Sequence, residues 1–127
     1  MAASSKPDLT EIHLDALALA QTLVDALEDT KAEDILLLDL IGIAPFTDYF
    51  VIASGTSERM LKALLNNARD AAQEEHDIKP RVEGEAIDGW LLADFGDVVL
   101  HVFSNEQRQH YQLEELWEEG KILLHMQ

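Results

Sequence analysis

A short run of small hydroxyl residues is the sequence feature closest to an enzyme motif. Ser54, Gly55, Thr56 and Ser57 follow a strand-like run and precede a helical pattern. A strand–turn–helix of this kind can present backbone N–H groups to a phosphate. The run has neither the GxxxxGK[ST] spacing of a P-loop nor the GxGxxG spacing of a dinucleotide fold. We therefore favour a tight turn that ends in a helix cap, supplied by Thr56 or Ser57.

Asp94 and Asp97 lie downstream and are the carboxylates available to hold a catalytic metal ion. Two carboxylates around one turn do not by themselves make a two-metal site. No two of the five histidines have the i, i+4 spacing of a helical metal pair, and neither HExxH nor GxSxG is present. We expect no catalytic residue, no metal and no cofactor, and keep a nucleotidyltransferase-like enzyme that uses magnesium and a nucleotide as the alternative.

The longest strand-like region, residues 89–103, predicts a β-hairpin, because two apolar runs flank a polar break at residues 94–97. If residues 95–96 form a two-residue loop, Asp94 faces Asp97 and the side chains alternate between two faces. One face is then aliphatic, with Leu91, Ala93, Val98, Leu100 and Val102. The other is mixed, with Trp90, Leu92, Asp94, Asp97, Val99, His101 and Phe103.

A three-residue loop with Gly96 as a left-handed bulge residue is the alternative register, and it moves Trp90 to the core side. We favour the first register because it makes one face uniformly apolar. The mixed face suits a surface that contacts a partner. The other interpretation is that Trp90 is a rim residue of the core and that the two aspartates are turn residues.

Apolar residues recur at helical spacing in two stretches and predict two long helices, from residue 9 to about 28 and from about 58 to about 75. Strands are predicted at 35–41, 49–53, 81–83 and in the two arms of the hairpin. A third helix follows a cap at Ser104 or Asn105, and Gly120 is suited to end it.

The order of these elements predicts an α/β (α+β) fold with a mixed sheet of about five strands flanked by helices. We expect a loose N-terminal tail over residues 1–8, a single domain over residues 9–119 and a short C-terminal tail over residues 120–127.

The charge balance excludes some classes of partner. The chain has 25 acidic and 9 basic residues, a formal charge of −16. A basic nucleic-acid footprint is missing, so we expect no DNA binding and little direct RNA contact. A basic partner protein would be attracted. No apolar run is long enough to span a membrane and the start is too short and polar for a signal peptide, so we expect a cytoplasmic protein.

One helical face carries a local excess of positive charge. Arg59, Lys62, Asn66 and Arg69 follow one another at spacings of three, four and three. The favoured interpretation is a solvated face whose charges pair with Asp70, Glu74 or other neighbours. The alternative is a scaffold dimer in which this stripe meets an acidic face of a second copy.

Four segments resemble the ribosomal silencing factor family, also called the Iojap-like family. They are DYFVIASGTSER (48–59), VEGE (82–85), GWLLADFGDVVLHVF (89–103) and RQHYQLEELW (108–117), within a match over roughly residues 10–118. The residues around Phe46 and the tail after Trp117 correspond to no family element in this comparison. The combination is specific, although each segment alone is weak.

The resemblance implies a translational repressor rather than an enzyme. It implies binding to the large ribosomal subunit through ribosomal protein uL-fourteen, on the face that meets the small subunit. The bound factor would sterically block subunit joining and lower translation in stationary phase or starvation. It also implies a fold like that of nucleotidyltransferases without their active site, and a dimer when the protein is free. By position, the implied contacts are Trp90, Leu91, Asp94 and Asp97, with His101 and Tyr111 behind them.

Overall fold

The fold is a six-stranded sheet with two long helices on one face. The computed structural model describes residues 9–112, 115, 118 and 120–127; the predicted N-terminal tail, and Leu113, Leu116 and Trp117 of the predicted last helix, lie outside this range. In chain order the elements are α1 (Leu9–Asp29), β1 (Glu33–Asp39), β2 (Tyr49–Gly55), α2 (Glu58–His76), β3 (Arg81–Glu85), a 3₁₀ turn (Ala86–Asp88), β4 (Trp90–Asp94), β5 (Val98–Ser104), α3 (Asn105–Tyr111) and β6 (Lys121–Met126).

The strands lie in the order β3-β4-β5-β2-β1-β6. All neighbours are antiparallel except β2 and β5, which pair in parallel at the centre. The chain therefore crosses from β2 to β5 through α2 and the β3–β4 hairpin. This topology confirms the predicted mixed sheet flanked by helices.

The sixth strand is a difference from the predicted sheet of about five. Residues 120–127 were expected to be a short tail, but Lys121–Met126 pairs antiparallel with β1. Its larger side chains are exposed, Ile122 by 61% and Leu123 by 38%, so no buried run marks it as a strand. Its pairing with β1 holds it there, together with Leu124 and Met126, which pack against the main core.

The β4–β5 hairpin has the predicted faces but a loop shifted by one residue. Asp94 lies opposite Val99, and the N–H of Phe95 donates to the carbonyl of Val98 at 2.9 Å, so the loop is residues 96–97 and not 95–96. The first strand gains one residue and the second loses one, so Asp94 lies opposite Val99 instead of Asp97. This shift of two residues in the pairing leaves the facing of the other side chains unchanged. The shift buries Phe95, 7% exposed, on the aliphatic face instead of leaving its ring in the loop.

Two apolar clusters lie on opposite faces of the sheet. The larger one joins the sheet to α1 and α2 and includes Leu23, Leu64, Val51 and Leu100, each fully buried. The smaller one contains Leu36, Leu38, Leu40, Ala44, Phe50, Ile52, Val99 and Phe103, with Trp90 and Leu92 packed at its margin. The face away from α1 and α2, here called the second face, is therefore apolar at its centre and open at β4.

The stripe of Arg59, Lys62, Asn66 and Arg69 lies exposed along α2. Within the part of the chain that the structure describes, its three basic side chains form no ion pair, so the expected partners Asp70 and Glu74 do not neutralise them. The stripe is a solvated face.

Gly84 in β3 provides a test of how closely β3 packs on β4. Its φ is +89°, and a Cβ added there would lie 2.3 Å from the carbonyl oxygen of Trp90. We expect Gly84→Ala to lower the free energy of unfolding by about 2–5 kcal/mol, from the left-handed backbone and the clash together. Urea unfolding measures it.

Gly96→Ala is the matched control. Gly96 has a similar φ of +92° but open space around a would-be Cβ, so only the backbone penalty of about 1–2 kcal/mol is expected. Equal losses in the two variants would contradict the close approach of β3 to Trp90.

Candidate functional site

An aromatic stack lies on the second face where β4 meets α3. Trp90 is half-buried, and its ring stacks on Phe103 of β5 with centroids 5.2 Å apart. The ring of Tyr111 in α3 also contacts the indole of Trp90, with centroids 4.5 Å apart. Tyr111 remains 41% exposed, so the stack reaches the surface.

The short connection between β5 and α3 explains why Tyr111 lies next to Trp90. Ser104 ends β5 and caps α3, because its Oγ accepts a hydrogen bond from the N–H of Gln107 at 3.2 Å. The helix therefore begins directly where the strand stops. It ends at Tyr111, whose ring lies against the indole of Trp90. Trp90 in turn belongs to β4, which pairs with β5.

His101 lies beneath the stack and is 4% exposed. The indole Nε1–H of Trp90 donates to its Nδ1 at 3.3 Å, so the neutral ring carries its proton on Nε2. Within the described residues, Nε2 has no hydrogen-bond partner. Burial lowers the pKa of His101 to about 4. The indole N–H acts in the same direction, because a protonated Nδ1 cannot accept its hydrogen bond.

A concave space of about 320 Å³ opens beside the rings of Trp90 and Tyr111. Period-two alternation in β3 places Glu83 opposite Leu92 and Glu85 opposite Trp90, so both carboxylates face the same side as the indole. The full lining is Glu83, Gly84, Glu85, Asp88, Trp90, Leu92 and Tyr111. We call this space the aromatic–acidic pocket.

The predicted site residues Asp94 and Asp97 lie away from this pocket. Asp94 shares the face of Trp90 but is four residues further along β4, roughly 13 Å at the rise of a strand. It pairs with Arg81 at 3.5 Å and accepts a hydrogen bond from the N–H of Gly96 at 2.8 Å. Asp97 is exposed in the loop, and its carbonyl accepts hydrogen bonds from the N–H groups of Asp48 and Tyr49.

The structure corrects one of the contacts expected from the resemblance, Leu91. It lies on the opposite face from Trp90, 5% exposed in the cluster that α1 and α2 cover. Neighbouring residues of a strand point to opposite faces, so both side chains cannot meet one partner. Trp90 and Tyr111 are in contact and His101 is buried behind them, whereas Tyr111, expected behind Trp90, lies at the surface.

Sequence reasoning missed Glu83, Glu85 and Asp88 as site residues. The predicted strand ended at residue 83, whereas β3 continues through Gly84 to Glu85. The available signal was the occurrence of charged residues at every second position, Arg81, Glu83 and Glu85, which indicates that they share one face of a strand. It has meaning only once β3 is known to pair with β4.

The hydroxyl run at the end of β2 has structural roles. Ser54 is 1% exposed, and its Oγ accepts a hydrogen bond from Arg108 at 3.0 Å. Ser57 caps α2 by accepting from the N–H of Met60 at 3.1 Å, which confirms the predicted turn and cap. A Cβ on Gly55 would lie 3.0 Å from side-chain atoms of Leu61 and Met60, so a larger residue there would force these two side chains of α2 to shift.

Arg108 is a second buried polar group on this face, 6% exposed. Its guanidinium donates to the carbonyl of Asp34 at 2.9 Å and lies 3.4 Å from the Asp34 carboxylate. These bonds hold α3 onto β1 and β2. They thereby fix the position of Tyr111, three residues further along the helix.

Among the described residues, no group of three or more His, Asp or Glu side chains is arranged to hold a metal ion. In the same part of the chain, no helix is both long and apolar enough to cross a membrane.

The low pKa of His101 predicts a dependence of stability on pH. The unfolded histidine titrates near its ordinary value of 6.5 and the folded one at about 4. Below pH 6.5 the unfolded state binds the proton first, so stability is lost as the pH falls from 6.5 to about 4. The loss is about 3 kcal/mol. Urea unfolding at several pH values measures it.

His101→Asn is the control, because its amide oxygen can still accept from the indole and does not titrate. Carboxylates contribute equally to both proteins, so the difference between the two curves isolates His101. Parallel curves between pH 6.5 and 4 would contradict a buried neutral histidine.

Comparisons with known proteins identify the family. The family model described as "Ribosomal silencing factor during starvation" matches residues 13–126. A ribosomal silencing factor from Halalkalibacterium halodurans is 40% identical over 99 residues, covering 78% of this chain and 85% of that protein. A mouse protein named "Mitochondrial assembly of ribosomal large subunit protein 1" is 36% identical over 108 residues, 83% of this chain and 47% of that protein.

A solved structure shows the same fold. A crystal structure of a protein from Chromobacterium violaceum is 33% identical, covers 81% of this chain and 86% of its own, and superimposes with a TM-score of 0.77. The family match extends through β6, further than the resemblance read from the sequence, which ended near residue 118. The segment around Phe46 also lies within it. The chain belongs to the ribosomal silencing factor family.

Proposed function

We propose that this protein is a translational repressor that binds the large ribosomal subunit through ribosomal protein uL-fourteen. Bound there, it sterically blocks association with the small subunit and lowers translation in stationary phase or starvation. The observation that carries the proposal is the aromatic stack that reaches the surface beside three carboxylates, on the sheet face that α1 and α2 leave open. Half-buried aromatic side chains are the usual anchors of protein interfaces.

The size of the protein suits a steric mechanism. A typical protein contact covers roughly 800 Å² on each partner. The accessible surface of this protein is 7660 Å², so such a contact uses about a tenth of it. The rest of the domain, including α1 and α2 on the opposite face, protrudes from the contact and can clash with an approaching subunit. Occlusion of this kind requires no catalytic group.

The charge of the protein favours a protein partner over ribosomal RNA. A net charge of −16 repels a phosphate backbone at long range, whereas basic side chains are attracted to the acidic rim of the pocket. The mouse relative's name refers to the large ribosomal subunit, which supports that subunit as the target. We further propose that the protein acts in the cytoplasm and forms a dimer when free.

Co-sedimentation with separated ribosomal subunits tests the proposal. We expect binding to the large subunit alone and fewer joined ribosomes in a subunit-joining assay. Tyr111→Ala combined with Glu85→Lys should weaken that binding at least tenfold, because it removes the exposed ring and reverses a charge beside it. Both side chains are exposed, so the fold should survive. Trp90 is less suitable for substitution, because its ring packs on Phe103 and its indole N–H donates a hydrogen bond to His101.

Glu74→Lys combined with Glu75→Lys is the matched control, with two exposed charges reversed on α2, on the other side of the sheet. It should bind like the natural protein. Equal binding by both double variants would exclude the aromatic–acidic pocket as the contact. Absence of binding by the natural protein to either subunit would refute the proposal itself.

The nucleotidyltransferase-like alternative has little support from the hydroxyl run at the end of β2, because Ser54 accepts a hydrogen bond from Arg108 and Ser57 caps α2. We expect calorimetric titration of nucleoside triphosphates with magnesium to give no heat and no change in melting temperature. Saturable binding would restore the enzyme hypothesis.

A further inference from the structure

The aromatic–acidic pocket has the composition of a site for a cation. Two aromatic side chains, Trp90 and Tyr111, meet at an angle of 47° and form adjoining walls. An aromatic ring face attracts a positive charge through its quadrupole. Three carboxylates, from Glu83, Glu85 and Asp88, line the same space.

The carboxylates are not neutralised within the fold. Arg81 lies 3.9 Å from Glu83 and 3.5 Å from Asp94, and its side chain is 74% exposed, so it shares one positive charge between two acids in weak, solvated ion pairs. Glu85 and Asp88 form no ion pair with any residue that the structure describes. The pocket therefore retains excess negative charge against an apolar wall.

Hard metal ions fit this pocket poorly. Aromatic and aliphatic walls offer no oxygen ligands, and the described residues contain no cluster of three potential ligands close enough to hold an ion. A phosphate or other anion would be repelled by the carboxylates. An organic cation with a flat surface satisfies both halves of the lining.

We propose that this pocket is the anchor site for an arginine side chain of the protein partner. The inference rests on the proposed function for the origin of that arginine. A guanidinium is planar, stacks on aromatic rings and presents five N–H donors that can reach more than one carboxylate. A lysine ammonium is more strongly hydrated and cannot stack, so the pocket selects arginine over lysine. Its volume of about 320 Å³ accommodates one such side chain.

Titration of the full-length protein with blocked single residues tests the site without the ribosome. The probes are N-acetyl-arginine amide, the lysine equivalent and the citrulline equivalent, which has nearly the shape of arginine but no charge. The readout is the NMR signal of the Trp90 indole N–H, one of two indole signals and assigned by its loss in Trp90→Phe. We expect a saturable shift with the arginine probe, with a Kd in the millimolar range that is usual for contact with a single side chain. Lysine should bind at least threefold more weakly, and citrulline should give no shift.

Glu85→Gln combined with Asp88→Asn should weaken arginine binding at least fivefold, because it removes both unpaired carboxylates while keeping their size. Glu74→Gln combined with Glu75→Gln on α2 is the matched control and should change nothing. Equal melting temperatures of the two double variants verify that the fold is intact. Equal shifts from arginine and citrulline, no shift from arginine, or equal binding by the two double variants would each overturn the inference.

The outcome is separable from that of the proposed function. Arginine binding by a protein that co-sediments with neither subunit would leave the pocket standing and refute the ribosomal target. Co-sedimentation without arginine binding would do the reverse.

Discussion

The parallel pairing of β2 with β5 is the constraint on which the rest of the structure depends. All seven residues of β2 are buried, and they pair with β5 from Tyr49 opposite Val98 to Gly55 opposite Ser104. Parallel strands end at the same edge of a sheet, so the helices that follow them begin at that edge, one capped by Ser57 and the other by Ser104. The first helix closes the main core, and the second carries Tyr111 back to Trp90. The aromatic stack is thus a consequence of the central register.

Two buried polar side chains stabilise the second face around that stack. Arg108 bonds to Ser54 and to Asp34, and so joins α3 to the ends of β2 and β1. His101 accepts the indole N–H of Trp90 and stays neutral because burial lowers its pKa to about 4. A polar group buried among apolar side chains is costly without such partners, and the partners in turn restrict the rings they touch. The exposed part of the stack is therefore presented by a rigid base.

The acidic composition has a different meaning on each side of the sheet. On α2, exposed basic and acidic side chains are interspersed and the stripe of Arg59, Lys62 and Arg69 is solvated. Beside Trp90, unpaired carboxylates adjoin apolar rings in a concave space. Charge next to low-polarity surface is less screened by water, so it acts more strongly on an approaching cation. A protein with a net charge of −16 can therefore still have one place where that charge is selective.

The sequence alone determined what depends on local periodicity: the two long helices, the mixed sheet and the two faces of the hairpin. The two predicted faces were kept despite a one-residue shift of the loop, because that shift changes the strand pairing by two residues and side chains alternate with a period of two. Four segments of the sequence also indicated the family. The tertiary structure decided that Lys121–Met126 is a strand, that Leu91 is turned away from Trp90, and that Glu85 and Asp88 line one pocket with Tyr111. These are contacts between residues far apart in the chain, and no local pattern encodes which distant partner a segment meets.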